Sequence, residues 1–398
     1  MKAAIMGYGT IGSGVAKILR ENKDRIVFTV GEEIELKYVL DLRDFPGDPE
    51  EDKLIKDYKI IAEDPEVRLV VETMGGVEPA YTFVNAMLEA GKHVTTSNKA
   101  LVAAKGAELI ETARNHNVNF EFEASVGGGI PIIRAINTCL TGDVVEEISG
   151  IVNGTTNYML TKMMNEGAQF DDVLKEAQAN GFAEKDPTAD IEGHDACRKI
   201  AILTSLVAGQ QVDFEDIETE GISHITAEDI KYAKAMGRTI KLLARSKKEG
   251  DTYVARVAPY LLSTDNTLYH IDGVLNAVLV KGNMLGYAMF TGSGAGSLPT
   301  ASAVVADLCD MAKHEGINIK IRWKKEKLNL ADASKQKNEY FVRAKDDKEK
   351  IKEIFGDVNF VDAGIAGENG FITGTLEEDI FTEKKAKLSE LLQVIRLG

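Results

Sequence analysis

A glycine-rich turn near the start of the chain constrains the fold more than any other feature. The apolar run Ala3–Met6 is followed by Gly7, Gly9 and Gly12, and apolar residues then recur at helical spacing as far as Leu19. This pattern predicts a strand, a tight turn and a helix. In such a turn the first glycine permits the bend, the second lets the backbone approach a pyrophosphate, and the third allows close packing of strand and helix.

The start of this helix is a predicted anion-binding site. Free backbone N–H groups at a helix start attract phosphate, so a bound dinucleotide would lie against Gly7, Gly9, Thr10, Ile11 and Gly12. A glycine-rich turn without any ligand is the alternative interpretation. The segments that follow favour the binding of a ligand.

Strand-like and helix-like segments alternate after the turn. Strand patterns cover residues 33–41, 67–76, 92–98 and 118–125, and helical patterns cover 77–91 and 99–117. This alternation implies right-handed crossovers and a parallel sheet. We therefore predict an α/β fold with a Rossmann-type nucleotide-binding domain over residues 1–137, completed by residues 297–320.

Several residues follow directly after the predicted strands, where parallel sheets bind their ligands. Asp41 can hydrogen-bond an adenosine ribose and favours NAD, whereas Arg43 can pair with the 2′-phosphate of NADP. The sequence leaves this choice open. Thr73, Gly75 and Ser97 are further candidate cofactor contacts at the same edge.

Lys99 stands at the next junction between a strand and a helix. A lysine is most often a solvated surface group. Its place on the predicted cofactor edge favours instead a contact with the cofactor or the substrate.

An acidic segment, EKDPTADIEGHDACRK, leads into a long apolar stretch. Pro187 and Gly193 indicate an irregular loop followed by a helix from about Gly193. On that helix Asp195 and Lys199 are four residues apart and share one face. An exposed ion pair is the simplest interpretation of this spacing.

The density of carboxylates argues for more than an exposed pair. Like charges this close cost energy unless something positive lies among them, such as a substrate ammonium. The five carboxylates are Glu184, Asp186, Asp190, Glu192 and Asp195. The segment is therefore a candidate substrate site.

The overall charge restricts the partners of the chain. The 47 basic and 63 acidic residues give a net charge of −16, which disfavours nucleic acid and anionic membrane surfaces. We expect no membrane span, because no apolar run approaches about 18 residues, and no signal peptide. The three cysteines form no CxxC pair, so we expect a cytoplasmic protein without a disulfide framework.

The regular alternation stops beyond residue 137, and we predict an α+β domain over residues 138–296. Thr155 or Thr156 can cap a helix, and strand patterns cover 253–262, 274–282 and 287–291. The glycines over 292–296 turn the chain back, and a helix over 300–313 completes the nucleotide-binding domain. Residues 321–337 are predicted to be a charge-rich linker. Residues 338–398 follow as strand, helix, two strands and a final helix over 383–395.

The ordered motifs resemble those of the homoserine dehydrogenase family. They are GYGTIGSGV, GKHVTTSNKALVA, FEASVGGGIPII, GIVNGTTNYML, GFAEKDPTADIEGHDACRKIAIL and GSGAGSLPTASAVVADL, within residues 1–320. The resemblance implies interconversion of L-aspartate 4-semialdehyde and L-homoserine with NAD or NADP, in the biosynthesis of threonine and methionine. It also implies a homodimer formed through the middle domain.

The resemblance also implies a role for each matching residue. Lys199 would be the proton donor, and Lys99 would lie between cofactor and substrate. The substrate would be bound by Glu184, Asp190, Asp195, Gly154 and Thr155, and Gly294 would contact the cofactor. A monovalent cation, Na or K, would be held mainly by backbone carbonyls of Glu123, Val126, Gly128 and Ile130. Phe182 replaces a hydroxyl-bearing aromatic residue that is common in the family, so we interpret Phe182 as packing.

The C-terminal residues 338–398 resemble the ACT-like domains that some members carry for control by amino acids. DDKEK replaces the usual Asp-x-Pro-Gly-Val turn after the first strand. An interaction or dimerisation module is an equally good interpretation of these residues.

Other functions fit part of the pattern. Another dehydrogenase of amino-acid metabolism would share the glycine turn but not the acidic cluster. A nicotinamide sensor without activity could lack Lys199. Aspartate-semialdehyde dehydrogenase needs an activated thiol, and no sequence feature marks Cys197 as activated.

Overall fold

In the computed structural model, which describes residues 1–398, the N-terminal part of the chain folds around a six-stranded parallel sheet. Its strands are β1 (Lys2–Met6), β2 (Glu35–Leu40), β3 (Leu54–Ile55), β4 (Val67–Glu72), β5 (His93–Thr96) and β6 (Phe120–Glu121). The order β3-β2-β1-β4-β5-β6 is that of a dinucleotide-binding sheet. The predicted Rossmann-type fold is confirmed.

Five helices connect these strands: α1 (Thr10–Glu21), α2 (Lys23–Val30), α3 (Lys59–Glu63), α4 (Ala80–Glu89) and α5 (Lys99–Asn115). Helices α4 and α5 match the two predicted helical patterns. The short helix α2 was not predicted. It accounts for the long separation between the glycine turn and Asp41, because it lies between α1 and β2.

The glycine turn has the geometry that its sequence predicts. Gly7 has a left-handed backbone with a φ of 95°, which favours glycine. A Cβ atom on Gly12 would lie 2.1 Å from the carbonyl oxygen of Gly7, so no side chain fits there. The turn therefore brings α1 directly against the end of β1.

The middle of the chain contributes a second, mixed sheet. Its strands are β7 (Val145–Ile151), β8 (Gln210–Gln211), β9 (Glu218–Thr219), β10 (Thr239–Glu249), β11 (Thr252–Leu262), β12 (Leu275–Gly282) and β13 (Gly286–Ser293). All except β8 belong to one ten-stranded sheet. Strands β11, β12 and β13 match the predicted strand patterns, whereas β10 was not predicted.

Helices accompany this second sheet. They are α6 (Ile132–Arg134), which continues into a π-helical turn, α7 (Gly154–Glu166), α8 (Phe170–Ala179), α9 (Thr188–Ile191), α10 (His194–Ala208) and α11 (Ala227–Ala235). Helices α7 and α10 pack against β10. The predicted cap of α7 was wrong: Asn153, not a threonine, accepts the hydrogen bond from the backbone N–H of Thr156.

Helix α12 (Ser297–Lys313) returns the chain to the first sheet, as its sequence predicts. It packs against α1, where a Cβ atom on Gly14 would meet Ser297 and Ala301. The buried face of α12 shares a core with β1 and α1, including Val304, Leu308 and Val15. This return places the loop that precedes α12 beside the ligand edge of the parallel sheet.

The predicted linker, residues 321–337, is packed onto the protein rather than loose. Within it β14 (Lys324–Lys327) pairs with β8, and β15 (Lys337–Asn338) lies at its end. Trp323 is buried against Gly106 of α5, and Leu328 is buried as well. The side chains that anchor this segment are the apolar ones between its many charges.

The last part of the chain contains β16 (Tyr340–Ala344), α13 (Lys348–Phe355), β17 (Asn359–Val361), β18 (Asn369–Ile372), β19 (Leu376–Glu377), α14 (Glu378–Lys385) and β20 (Leu391–Leu397). Four antiparallel strands lie in the order β20-β16-β18-β17. The other edge of β20 pairs with β11, so the C-terminal strands continue the middle sheet. The ACT-like assignment stays a prediction.

The predicted final helix over 383–395 was wrong beyond Lys385: α14 spans Glu378–Lys385, so only residues 383–385 of the prediction are helical. Residues 391–397 form β20 instead, because this segment hydrogen-bonds β16 on one side and β11 on the other. Tertiary pairing thus overrides a local pattern rich in good helix formers.

No helix of the structure combines the length and the apolar character that crossing a membrane requires.

Candidate functional site

A cavity of about 510 Å³ opens at the ligand edge of the parallel sheet. It is lined by the predicted cofactor residues Gly7, Gly9, Asp41, Arg43 and Thr73, together with apolar and charged neighbours. The Thr73 hydroxyl donates a hydrogen bond to the carbonyl oxygen of Gly7 and so joins the ends of β4 and β1.

The first turn of α1 borders this cavity. The helix starts at Thr10, and its N-cap residue Gly9 provides no side-chain hydrogen bond. The N–H groups of Thr10, Ile11 and Gly12 therefore have no partner within the helix. They are available to an anion.

Asp41 and Arg43 form an ion pair at the rim of the cavity. The Arg43 guanidinium donates to both carboxylate oxygens of Asp41, at 3.0 and 2.8 Å, and the backbone N–H of Tyr8 donates to one of them at 2.8 Å. The hydrogen bonds from Arg43 hold the pKa of Asp41 well below its usual range. The pair offers both an acceptor for ribose hydroxyls and a cation for a phosphate.

Glu72 organises the neighbouring loops, and the sequence analysis missed it. Its buried carboxylate accepts hydrogen bonds from the Thr96 hydroxyl at 2.5 Å and from the backbone N–H of Met74 at 2.6 Å. The N–H of Gly75 is a weaker donor at 3.4 Å. Burial raises the pKa of Glu72. The carboxylate thereby links the loops that hold Thr73, Gly75 and Ser97.

Two lysine ammonium groups lie on either side of one buried carboxylate. Lys99, the first residue of α5, places its Nζ 2.7 Å from Asp195 Oδ1, and Lys199 places its Nζ 2.7 Å from Asp195 Oδ2. Asp195 is 4% exposed and Lys199 is 8% exposed. The exposed ion pair of the simplest interpretation is therefore wrong.

Charge, rather than solvent, keeps Asp195 ionised. Burial alone disfavours its charged form, but the charges of Lys199 and Lys99 and a hydrogen bond from Asn153 hold the pKa of Asp195 well below its usual range. The pKa of Lys99 is raised, since the attraction of Asp195 outweighs the effect of burial. The three side chains act as one charged unit.

Asn153 ties this unit to the acidic loop and was not among the predicted site residues. Its Nδ2 donates to Asp195 Oδ2 at 2.9 Å and to Asp190 Oδ1 at 2.8 Å, while its Oδ1 caps α7. An asparagine directly before a helix is a recognised N-cap signal. That signal was available in the sequence NGTT, but the second role of Asn153, its hydrogen bonds to Asp190 and Asp195, depends on tertiary contacts.

Other predicted substrate residues lie around this unit. Gly154 and Thr155 start α7, and the Thr155 hydroxyl donates to the carbonyl oxygen of Phe182 at 2.6 Å. This bond fixes the chain just before Glu184. Glu184 itself is exposed, and its side chain makes no hydrogen bond or ion pair within the chain. Phe182 packs against Tyr158, in agreement with its interpretation as packing.

In the loop predicted to hold a monovalent cation, the one carboxylate is engaged elsewhere and backbone carbonyls are the free groups. The Glu123 carboxylate accepts the backbone N–H groups of Ile133 and Arg134, at 2.8 and 2.7 Å, and so caps α6. The carbonyl oxygens of Val126 and Gly128 are in buried residues and accept no hydrogen bond, whereas that of Ile130 accepts the N–H of Ile132. No cluster of His, Cys, Asp or Glu side chains is arranged to hold a metal ion.

A second buried acidic cluster lies behind this loop. Arg134 contacts Asp307 at 2.5 Å and Glu121 at 3.3 Å, and Asp307 also accepts from the Thr95 hydroxyl and the N–H of Glu123. Burial raises the pKa of Glu121 and that of Asp307, and it raises the pKa of Glu123 to about 7.

Cys197 does not have the environment of a nucleophile. Its thiol is buried, donates to the carbonyl oxygen of Phe214 at 3.2 Å, and has a pKa raised by burial. A catalytic thiol needs a lowered pKa. The environment of Cys197 therefore argues against the alternative of an aspartate-semialdehyde dehydrogenase, which needs an activated thiol.

A nucleotide-binding sheet, a cavity at its ligand edge and two lysines paired with one buried carboxylate define the class of the protein: a nicotinamide-dependent oxidoreductase. The chain matches the family models described as "Homoserine dehydrogenase, NAD binding domain" over residues 7–123 and "Homoserine dehydrogenase" over residues 131–309. It is 42% identical over 323 residues to the homoserine dehydrogenase of Bacillus subtilis, covering 80% of this chain and 74% of that protein.

Solved structures agree with these matches. A homoserine dehydrogenase from Thiobacillus denitrificans is 36% identical with a TM-score of 0.91, and covers 100% of this chain and 98% of its own. A hyperthermophilic archaeal homoserine dehydrogenase in complex with NADPH is 29% identical with a TM-score of 0.66, covering 78% and 97%. The chain belongs to the homoserine dehydrogenase family.

Proposed function

We propose that the protein catalyses the reversible reduction of L-aspartate 4-semialdehyde to L-homoserine, with Lys199 as the proton donor. The observation that supports this most directly is the array in which Lys99 and the buried Lys199 both pair with the buried Asp195. A cofactor site alone would not need a buried lysine, Lys199, and a partly exposed one, Lys99, paired with the same carboxylate. A substrate whose carbonyl oxygen gains negative charge during reduction does need them.

The nicotinamide, when bound, supplies or accepts the hydride. Lys199 is held for proton transfer, because its Nζ donates to the carbonyl oxygen of Val152 at 2.6 Å and to Asp195. It would protonate the developing alkoxide during reduction and remove the hydroxyl proton during oxidation. Lys99 adds positive charge near the same oxygen. This arrangement excludes most water from the proton donor.

Glu184, Asp190 and Asp195 would attract the substrate ammonium, with Gly154 and Thr155 nearby. Asp190 is partly exposed and near the lysine pair, since Asn153 donates to both Asp190 and Asp195. Glu184 has no partner within the chain and is free to bind a cation. Asp195 already pairs with two ammonium groups, so its main contribution would be to orient them.

The decisive experiment follows the absorbance of the reduced cofactor with homoserine and with NAD or NADP. We expect Lys199→Ala to lose turnover in both directions, because no other group holds the proton, with cofactor affinity nearly unchanged. Lys185→Ala, an exposed lysine in the acidic loop, is the matched control. Intact turnover in Lys199→Ala would remove Lys199 from the mechanism.

Cofactor choice depends on Asp41 and Arg43 in this proposal. Removing Arg43 should weaken the binding of NADP more than that of NAD, since the Arg43 guanidinium would pair with the 2′-phosphate. Removing Asp41 should weaken the binding of NAD more than that of NADP. The ratio of kcat/KM for the two cofactors, measured in Arg43→Ala and Asp41→Ala, tests both assignments.

A monovalent cation, Na or K, would be held by backbone carbonyls of Glu123, Val126, Gly128 and Ile130. The buried carbonyl oxygens of Val126 and Gly128, which accept no hydrogen bond, support such a group. Its contribution would be structural, since it would hold a loop rather than a reacting atom. Equal melting temperatures in sodium, potassium and tetramethylammonium salts would contradict this assignment.

A homodimer through the middle domain is part of the proposal. The edge strand β13 and its hairpin expose Met284, Leu285, Tyr287 and Met289, and Tyr287 is 65% exposed. An apolar patch of this kind at a sheet edge is typical of an interface. We expect the double variant Tyr287→Asp with Met289→Asp to sediment as a monomer. Phe28→Asp, which changes an exposed apolar residue on α2, should leave the dimer intact.

A reducing compartment such as the cytoplasm agrees with the three free cysteines, of which Cys139 is exposed. The ACT-like residues 338–398 would bind a regulatory amino acid or serve in association. Calorimetric titration with threonine, with homoserine as the comparison, separates these two roles.

A further inference from the structure

Asn276, the second residue of β12, is a buried amide without partners. Its exposed fraction is 0%, and neither Nδ2 nor Oδ1 makes a hydrogen bond. The mechanism above gives this residue no role. Its position is nevertheless central, because it lies where the start of α7 meets the loop 292–296.

A glycine makes room for this amide on one side, and the start of α7 adjoins it on the other. A Cβ atom on Gly294 would lie 1.9 Å from Asn276 Nδ2, so no residue with a side chain fits there. A Cβ atom on Gly154 would lie 3.6 Å from Asn276 Oδ1. The amide is thus enclosed by one loop predicted to contact the cofactor and one helix start predicted to contact the substrate.

The surrounding fold is able to satisfy a buried amide. Asn157, one turn further along α7, donates to the carbonyl oxygens of Ile271 and Leu275 and accepts from Lys241. A buried donor or acceptor without a partner is costly and uncommon in native proteins. The amide of Asn276 lacks both bonds in the unliganded protein.

We propose that Asn276 is a positioning residue whose amide pairs only when cofactor and amino-acid substrate are bound, fastening the loop 292–296 to the start of α7. Gly294 already lies against Nδ2, so a small rearrangement of the loop 292–296 would be enough to present a backbone carbonyl to the amide. The α7 start is coupled to the charged unit, because Asn153 caps α7 and donates to Asp195. This inference rests on the proposed function.

The test replaces the amide with an apolar side chain of similar size. Asn276→Leu removes two unpaired groups from the unliganded protein, so its melting temperature should stay the same or rise. The KM for homoserine should rise about tenfold, the loss expected for one buried hydrogen bond, while kcat changes less. The rise in melting temperature caused by NADP with homoserine should shrink.

Ser246→Ala is the matched control, because the Ser246 hydroxyl is also buried and unpaired but lies in β10, away from both loops. It should keep the wild-type KM and the full rise in melting temperature. Asn276→Ala is measured in parallel and decides the matter if the leucine variant does not fold.

Three results would overturn the inference. One is an unchanged KM together with a full ligand-induced rise in melting temperature in both Asn276 variants. Another is a lowered melting temperature in both with unchanged kinetics, which is the signature of a structural amide. The third is the same KM increase in Ser246→Ala. If the wild-type protein does not oxidise homoserine, the proposed function fails, and the rise in melting temperature caused by NADP with homoserine, compared between the wild-type protein and Asn276→Leu, then decides whether the amide responds to ligands.

Discussion

Asp195 lies between two lysine ammonium groups and offsets one of their two positive charges. Each of its oxygens lies 2.7 Å from one Nζ. A carboxylate in this position reduces the repulsion between the two ammonium groups, and it fixes the geometry of the predicted proton donor. The roles of orienting the lysines and attracting the substrate therefore depend on the same charge.

We predict that Asp195→Asn lowers both stability and substrate affinity. Removing one charge from a buried set leaves uncompensated ammonium groups and typically costs about 3 kcal/mol. The variant should melt at a lower temperature at neutral pH and show a higher KM for homoserine with little change in the KM for the cofactor. Asp186→Asn, an exposed carboxylate nearby, is the control. A selective cofactor defect would contradict the assignment.

Helix α12 joins the nucleotide-binding sheet to the loop before α6 through one buried carboxylate. Asp307 hydrogen-bonds Thr95 of β5 and the backbone of Glu123, and it pairs with Arg134. Arg134 faces Glu121 and Asp310 as well. Because acidic groups outnumber the single guanidinium, burial favours retention of protons on this cluster.

We predict that this cluster destabilises the protein as pH rises from about 4 to about 7. The folded-state pKa values of Glu121, Asp307 and Glu123 are raised, that of Glu123 to about 7. Groups with raised folded-state pKa values contribute stability that is present below the unfolded-state pKa and is lost as pH rises through the folded-state pKa. Within this range the free energy of unfolding should fall by about 1.4 kcal/mol per pH unit for each proton that the folded state retains.

Denaturant unfolding at a series of pH values measures this slope. Asp307→Asn keeps a hydrogen-bonding side chain but removes one charge, so its free energy of unfolding should vary less over the same range. A variant whose slope equals that of the wild-type protein would contradict the assignment of the effect to this cluster.

Elements with strong local signals were predictable from the sequence. The glycine turn, α4, α5 and α12 have clear periodicity and glycine punctuation, and each lies within a few residues of its predicted place. Strand β20 was not predictable, because its backbone pairing with β16 and β11 brings together residues far apart in sequence. The helix predicted over 383–395 began too late and ran too far, since α14 spans Glu378–Lys385.

The candidate site was predictable in its residue types but not in its burial. The spacing of Asp195 and Lys199 gives a shared helix face, but it does not distinguish an exposed pair from the buried one observed. The contact of Lys99 with Asp195 joins α5 to α10, which lie on different sheets. Asn153 and Glu72 were missed because their hydrogen bonds form only after the chain is folded.

At the scale of the whole molecule, Glu378 connects the C-terminal strands to the middle sheet. It accepts hydrogen bonds from Arg256 of β11 at 2.7 Å and from Arg396 of β20 at 2.6 Å. Burial disfavours its charged form, but the hydrogen bonds from Arg396 and the charges of Arg396 and Arg256 lower the pKa of Glu378 to about 2. The last residues of the chain are thus held by a buried network of charges.

We predict that Glu378→Gln destabilises the protein by about 3 kcal/mol at neutral pH, because two buried guanidinium groups lose a partner. The effect should disappear toward pH 2, since a lowered folded-state pKa contributes stability above the unfolded-state pKa that is lost as pH falls through the folded-state pKa. Glu377→Gln, its neighbour with only a distant lysine contact at 3.9 Å, is the control. Thermal melting at several pH values measures both variants.

The return of α12 to the first sheet has a consequence for how the chain reaches its native state. Asp307 bonds Thr95 across 212 positions and Glu123 across 184. The nucleotide-binding half therefore stays unfinished until the entire middle half has been synthesised. Closing so large a loop is entropically costly, so assembly of this half should be slow, and a fragment ending near residue 137 should expose apolar surface and aggregate.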